Sequence, residues 1–381
     1  MGDLLTRRRW AGLTAMAGGL AAAKPLAAMA PASPGAAVDF TGDGISLTPT
    51  RYADLLARLT SGGAVVEDEY SRGGAVAALE AQFAALLGTE AAVFMPSGTL
   101  ANQLAVRKLA GPRRRVVVQE ASHLYNDTGD CAEQLSQLTL LPLAEGKATF
   151  TWGDVERALA RTASGRVQAE VGVIAIESPV RRLHGEVFDF GEMQRISAAA
   201  RQRGIALHLD GARLFVAAAY GGRTPAQYAA LFDTVYVSLW KCFNSGGGAI
   251  LAGPKATLAD MYQLRRMFGG ALWNAWPYAV VAGHYAEGYL ARLQAAVRVS
   301  EDLLAALSAD PRFGVERVPN GTSLFRLTPR VADAAAFRQR LAAKGITIPP
   351  PDTGAFWLKV NETLNGASAA GLADAFRSAL A

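Results

Sequence analysis

The chain is 381 residues long and holds only two cysteines and four histidines, and only 19% of its residues are charged. So few cysteines exclude a disulfide-stapled scaffold. The low charge, set against 51% hydrophobic residues, excludes a disordered chain or a coiled coil. No Gly-x-Gly-x-x-Gly follows the first predicted strand, which disfavours a nicotinamide-dependent dehydrogenase. No internal repeat or collagen-like period is present, and no metal site is expected. The formal charge of +5 is concentrated at the start, where Arg7, Arg8, Arg9 and Lys24 face only Asp3. The remainder is nearly balanced, so nothing in it demands nucleic acid or an anionic membrane. What is present is enough chain for a large core and about two domains.

Residues 1–30 read as an export leader. A basic start precedes the apolar run Ala11 to Ala23, and Ala28-Met29-Ala30 follows as a small-x-small cleavage pattern. The run is 13 residues, short of the ~20 a bilayer span needs, so no stable membrane anchor is expected. Thr6-Arg7-Arg8-Arg9-Trp10 resembles the twin-arginine signal, the alternative being an ordinary secretory leader; periplasmic or secreted placement is the expectation. Pro31 to Ala37 follows as a Pro/Ala/Gly linker, and residues 31–60 are read as linker and N-terminal segment. In an oxidising compartment Cys131 and Cys242 could pair.

Beyond residue 60, helical and strand patterns alternate, as in an α/β domain with a mostly parallel sheet. Near-continuous apolar runs predict strands at Val116–Gln119, Val171–Glu177, Ile205–Asp210, Thr234–Leu239 and Ala249–Ala252. Helical spacing predicts Ala75–Leu87, closed by Gly88, and further helices at about Asn102–Leu109, Asp154–Ala160, Phe190–Arg203 and Pro225–Leu231. A long helical pattern from Trp276 to Ala309 bridges to a smaller C-terminal α/β domain with strands at Thr322–Thr328 and Phe356–Val360. Its helix over 333–344 has Asp333 as N-cap. The large domain is assigned to 61–280 and the small one to 281–381.

Four segments place polar residues at strand ends or helix starts, where α/β proteins bind ligands. Ser97-Gly98-Thr99 is either a plain helix cap or a helix N-terminus able to hold a phosphate. His208-Leu209-Asp210-Gly211-Ala212-Arg213 ends a strand with an aspartate and an arginine able to clamp a carboxylate; the alternative is a surface ion pair. In Ser238-Leu239-Trp240-Lys241, followed by Gly246-Gly247-Gly248, the lysine is either a desolvated Schiff-base nucleophile or one that snorkels to solvent. His123, on the loop after a strand, can stack on an aromatic ring, carry a proton, or serve only structurally.

Together these segments resemble the threonine aldolase and β-eliminating lyase family of pyridoxal-phosphate enzymes, of aspartate-aminotransferase-type (type I) fold. The resemblance runs from about Glu67 to Gly270, through Pro96-Ser97-Gly98-Thr99, Ala101-Asn102-Gln103, His123, His208 to Arg213, and Ser238 to Lys241. It implies that Lys241 forms the Schiff base, Asp210 pairs with the pyridinium nitrogen and His123 stacks on the ring. Ser97, Gly98 and Thr99 would hold the phosphate, and Arg213 the substrate carboxylate. It further implies a homodimer or homotetramer acting on a small amino acid. The expected reaction is Cα–Cβ cleavage of a β-hydroxy-α-amino acid to glycine and an aldehyde. β-Elimination, amino transfer, or a silent binder that kept the cofactor pocket are the alternatives.

Three stretches depart from the family pattern. Glu177-Ser178-Pro179-Val180 lacks a second histidine, for which His184 is a candidate substitute. Gly269-Gly270-Ala271-Leu272-Trp273-Asn274 has Trp273 in place of a phosphate-holding arginine, leaving Arg265 or Arg266 to replace it. Phe356-Trp357-Leu358-Lys359-Val360 lacks a second carboxylate-binding arginine, with Arg326 as the candidate. Trp240, Phe243, Trp273 and Trp276 are either core or the lining for a bulkier, more apolar substrate.

Overall fold

The computed structural model describes residues 37–381; the leader and nearly all of the Pro31–Ala37 linker lie outside the described residues. The expected linker region is structured from its first described residues. Strand β1 (Val38–Asp39) is followed by helix α1 (Pro49–Thr60), whose Thr48 side chain caps the Arg51 N–H. Helix α2 (Gly74–Leu87) stops at Gly88, which takes the left-handed conformation at φ 63° that a glycine C-cap provides.

The large sheet contains β2 (Ala91–Met95), β3 (Arg115–Gln119), β4 (Thr139–Leu143), β5 (Val171–Glu177), β6 (Ala206–Asp210), β7 (Thr234–Ser238) and β8 (Ala249–Gly253). Its order is β2-β8-β7-β6-β5-β3-β4; β8 runs antiparallel to both neighbours and the other pairs are parallel. The central strands are buried on both faces, which is why they appear as unbroken Val/Ile/Leu/Ala runs. Sequence patterning missed β2 and β4. The second carries Pro142, which cannot donate to a ladder and is tolerated because β4 is an edge strand. Helix α3 (Gly98–Ala110) starts directly after β2 and presents Asn102 and Gln103 to the interior.

The small domain is an antiparallel sheet of β9 (Phe313–Arg317), β10 (Leu324–Pro329) and β12 (Phe356–Lys359), in the order β12-β10-β9. A separate parallel pair joins β1 to β11 (Ile346–Thr347). Asp333 caps the helix Ala334–Ala342 as expected, accepting from the Ala335 and Ala336 N–H groups. Two assignments change. The Trp276–Ala309 pattern is two helices, Trp276–Ala286 and Tyr289–Ser308, parted at Gly288 with φ 65°. The domain boundary also lies inside the second of them: Tyr289 and Leu293 pack in the large core, and Ala296, Leu303 and Leu307 in the small one. Val38 and Phe40 belong to that small core, so the first described residues fold with the last third of the chain. Cys131 and Cys242 are both buried and free rather than paired.

Candidate active site

Strands β2, β3, β5, β6 and β7 all end on one edge of the large sheet, and the candidate residues follow from that. Glu177 pairs in register with Asp210, and Asp210 with Tyr236, so three polar side chains stand in a row across the C-terminal ends of β5, β6 and β7. Lys241 lies in the short helix Leu239–Cys242 that follows β7, and His123 begins the turn His123–Asn126 after β3. One small cavity is lined by His123, Glu177, Arg181, Asp210, Ala212, Arg213, Tyr236 and Lys241. The structure therefore gathers His123, Asp210, Arg213 and Lys241 from positions 118 residues apart at the extremes.

Lys241 is only 8% exposed and has no carboxylate in salt-bridge contact among the described residues. Burial, reinforced by the Arg213 guanidinium, holds its ammonium below its ordinary pKa. A lysine whose ammonium is destabilised gives up its proton more readily and can then attack a carbonyl carbon. His123 is also lowered, chiefly by burial, and its Nδ1 atom is buried with no partner. The imidazole therefore presents an unoccupied ring nitrogen to a ligand. Asp210 Oδ2 accepts from Asn102 Nδ2 at 2.5 Å and Oδ1 from the Ala212 N–H at 3.1 Å.

At the start of α3 the Ser97 hydroxyl, exposed, caps the Leu100 N–H at 3.2 Å, so the plain cap reading holds for that side chain. The Gly98 and Thr99 N–H groups precede the helical ladder and remain available to an anion. A Cβ on Gly98 would stand 1.9 Å from Tyr236 Oη, so only glycine lets the helix end approach β7 this closely. Ser238, two residues beyond Tyr236 and hence on the same face of the strand, is fully buried and its Oγ has no partner. An orphaned hydroxyl beside free helix-start N–H groups fits a phosphate.

Arg213 has a partner that sequence reading did not supply. Its Nε and Nη2 hold both oxygens of Asp43 at 3.0 and 2.8 Å, and Lys359 Nζ approaches the same carboxylate at 3.3 Å. Burial opposes ionisation of Asp43, but Arg213 and then Lys359 outweigh it, and the carboxyl titrates below its ordinary value. The Nη1 edge of Arg213 stays free for an incoming carboxylate. The segment carrying Asp43 lies flush on the lysine turn: the Ile45 N–H donates to Asn244 Oδ1 at 2.6 Å, and a Cβ on Gly44 would meet the Lys241 carbonyl at 2.7 Å.

Asp43→Asn is expected to lower unfolding stability by about 3–5 kcal/mol near neutral pH, because it leaves buried cations short of a partner. Since the folded-state pKa is depressed, that stability is present above the unfolded value of about 3.9 and is lost as pH falls through the folded value. Urea unfolding at pH 7 and pH 3 should thus show a large difference between parent and variant that shrinks in acid.

Other candidates lie elsewhere. Arg326 binds Glu316 on the neighbouring strand at 3.0 Å and does not line the Lys241 cavity; the cation that β12 brings near Arg213 is Lys359. His184 is exposed and stacked on Trp357, with centroids 4.1 Å apart, and is no substitute for the missing second histidine. Arg265 is buried with its guanidinium donating to the Phe94, Tyr70 and Ser71 carbonyls, so it holds backbone rather than phosphate. Arg266 lies over the Tyr70 ring. Of the four aromatic residues, Phe243 is core, Trp240 and Trp273 are more than half exposed, and Trp276 opens a helix.

In the sequence Glu177 only ends the predicted strand and opens the stretch that lacks the histidine. It is buried, its oxygens accept from the His123 N–H at 2.5 Å and the Arg181 N–H at 2.9 Å, and burial with the nearby Asp210 raises its pKa. A glutamate closing an otherwise apolar strand was the available signal.

The family model described as Beta-eliminating lyase matches residues 47–341. A Schizosaccharomyces pombe protein assigned as a low-specificity L-threonine aldolase is 30% identical over 237 residues, 61% of each chain. The alanine racemase TOXG of Cochliobolus carbonum is 28% identical over 241 residues, 63% of this chain and 60% of its own. The matched stretches thus span about three fifths of the curated relatives' length. Among solved structures, a Listeria monocytogenes protein assigned as an L-allo-threonine aldolase superposes with a TM-score of 0.74 at 27% identity, covering 91% of this chain and 96% of that one.

Proposed function

We propose, since the chain belongs to the beta-eliminating lyase family, that it is a pyridoxal-phosphate-dependent lyase cleaving the Cα–Cβ bond of a β-hydroxy-α-amino acid to glycine and an aldehyde. The observation that carries this reading is the buried, pKa-lowered Lys241 in one cavity with Asp210, His123 and Arg213. The Gly98 and Thr99 N–H groups and Ser238 Oγ would hold the phosphate, Asp210 the ring nitrogen, and His123 a face of the ring. When bound, the cofactor supplies a sink for the electron pair released at Cα.

The chain's own groups do the rest. The free Nη1 edge of Arg213 takes the substrate carboxylate, with Lys359 adding positive charge on the same side through Asp43. Fixing carboxylate and amine at two points would decide which Cα bond is presented for cleavage. His123 Nδ1, kept neutral by burial, accepts the β-hydroxyl proton as the carbonyl of the departing aldehyde forms. Lys241 receives the amine exchange and is restored when glycine leaves.

A second reading, in which Lys241 moves a Cα proton in elimination, amino transfer or racemisation, is favoured by Val180 standing at the position of the missing second histidine, and by the likeness to a racemase. A pocket that binds cofactor without turnover is a third. The leader motif supports export to the periplasm, and the exposure of Trp240 and Trp273, at 53% and 60%, supports a homodimer or homotetramer burying them.

The reading is tested by supplying the purified protein and pyridoxal phosphate with a panel of β-hydroxy amino acids of increasing side-chain size and assaying aldehyde and glycine together. Equimolar aldehyde and glycine are expected. Ammonia with a keto acid, or loss of chirality at Cα without cleavage, would replace this reading with the second.

A further inference from the structure

Asp210 has a second side that the proposed chemistry does not use. Behind it, a run of hydrogen bonds passes inward through three other buried side chains. Asn102 Nδ2 meets Asp210 Oδ2 at 2.5 Å, His208 Nε2 meets Asn102 Oδ1 at 2.9 Å, and Thr234 Oγ1 meets His208 Nδ1 at 2.8 Å. Asn102, His208 and Thr234 are all at most 1% exposed. The fold makes this alignment: His208 and Asp210 lie two residues apart on one face of β6, Thr234 is the register partner of His208 on β7, and α3 lays Asn102 across them.

The direction of every bond follows from the one fixed end. An ionised carboxylate can only accept, so the amide nitrogen of Asn102 faces Asp210 and its oxygen faces His208. That oxygen requires a proton on His208 Nε2, and in a neutral imidazole Nδ1 is then bare and accepts the Thr234 hydroxyl proton. All three donors therefore point toward Asp210. Among the described residues no cation forms a salt bridge with Asp210. Its hydrogen bonds come from neutral donors, Asn102 and the Ala212 N–H.

We propose that Thr234, His208 and Asn102 are positioning residues that lock the Asp210 carboxylate in orientation, with His208 held as the single neutral Nε2–H tautomer. Burial of His208, which drives its pKa down to about 4, supports this protonation state. The arrangement leaves Asp210 an anion without a cationic partner, a preformed seat for a protonated ring nitrogen. It passes no proton, because the Asn102 amide separates the imidazole from the carboxylate. The inference rests on the reading of Asp210 as the partner of that nitrogen.

Nitrogen-15 NMR of the cofactor-free parent chain at neutral pH tests the tautomer directly and is independent of turnover. A protonated Nε2 and a bare Nδ1 on His208 are expected; an Nδ1–H tautomer or an imidazolium overturns the proposal. Equilibrium binding of pyridoxal phosphate then tests the consequence. Asn102→Ala is expected to weaken binding about tenfold, the effect of one hydrogen bond to a charged group, and His208→Leu by a similar factor, because it leaves the buried Asn102 oxygen without its donor. His208→Gln, whose amide can donate from the place of Nε2, should stay within about threefold of the parent. If the Leu and Ala variants bind as tightly as the parent while Asp210→Asn binds weakly, the relay is wrong and the role of Asp210 stands. If Asp210→Asn also binds tightly, the role of Asp210 itself fails, and the proposal with it.

Discussion

Lys241→Ala should abolish product formation, by at least about 10³-fold, while leaving the folded protein intact. The magnitude follows from its role. Lys241 Nζ is the candidate covalent nucleophile, and loss of such a group costs orders of magnitude. The intact fold follows from burial. The ammonium is held below its usual pKa because the site desolvates it, so deleting it removes an unfavourable charge instead of a stabilising contact. Thermal melting of the cofactor-free variant at or above the parent temperature, with no protein Schiff-base absorption band beyond that of free pyridoxal phosphate, is the expected pair of results. Retention of the band would show that another amine binds the cofactor.

The second large effect is expected at Gly98. An added methyl group must occupy space held by the Tyr236 hydroxyl, 1.9 Å away, and by the ring carbon behind it at 2.3 Å. Tyr236 is 4% exposed and packs in the core beneath α3 with Met95 and Leu104, so it has nowhere to swing. Overpacking of this kind costs about 1–3 kcal/mol, and relief comes from pushing the helix start outward, away from β7. Gly98→Ala should therefore lower the melting temperature and weaken phosphate-dependent binding of the cofactor more than tenfold, since the displaced N–H groups are those that face the anion. Shortening the obstructing side chain in Gly98→Ala/Tyr236→Leu should return part of the lost stability. A double-mutant cycle with no such coupling would mean that the close approach is not what requires glycine.

Local chemistry was legible in the sequence, and proximity was not. Val171–Glu177 was delimited to the residue because a strand buried on both faces leaves no polar position in its run before the closing Glu177. Gly88 and Asp333 announced helix ends because caps depend on neighbours a few residues away. The strand Ala91–Met95 escaped notice because its alanines carry no β signal; tertiary pairing with β8 forms it. Lys241, Asp210, His123 and Arg213 were found through their place at strand ends, which local patterning can supply. Asp43 could not be found in this way, since it meets Arg213 across 170 positions of chain. The same holds for Asn102 and His208, each quoted within a motif but bonded to one another only when α3 lies across β6. Arg326 and His184 misled for the converse reason: the right residue type near the right strand says nothing about which neighbour claims it.

The union of β1 with β11 sets an order of events during synthesis. Val38 pairs with Ile346, and the Asp39 carbonyl accepts from Asn361 Nδ2 across 322 positions. The residues bearing Asp43 are among the first described ones to leave the ribosome, yet they gain their anchorage only after β11 and Asn361 have emerged. Closing so long a loop is slow relative to local helix and strand formation, and it comes last. The large sheet and its lysine can assemble on the nascent chain before the segment bearing Asp43 is tied down at both ends. A ribosome-bound chain lacking its final forty residues is therefore expected to cover Lys241 with a segment held only by Asn244 and Arg213, and the full cover forms only at release.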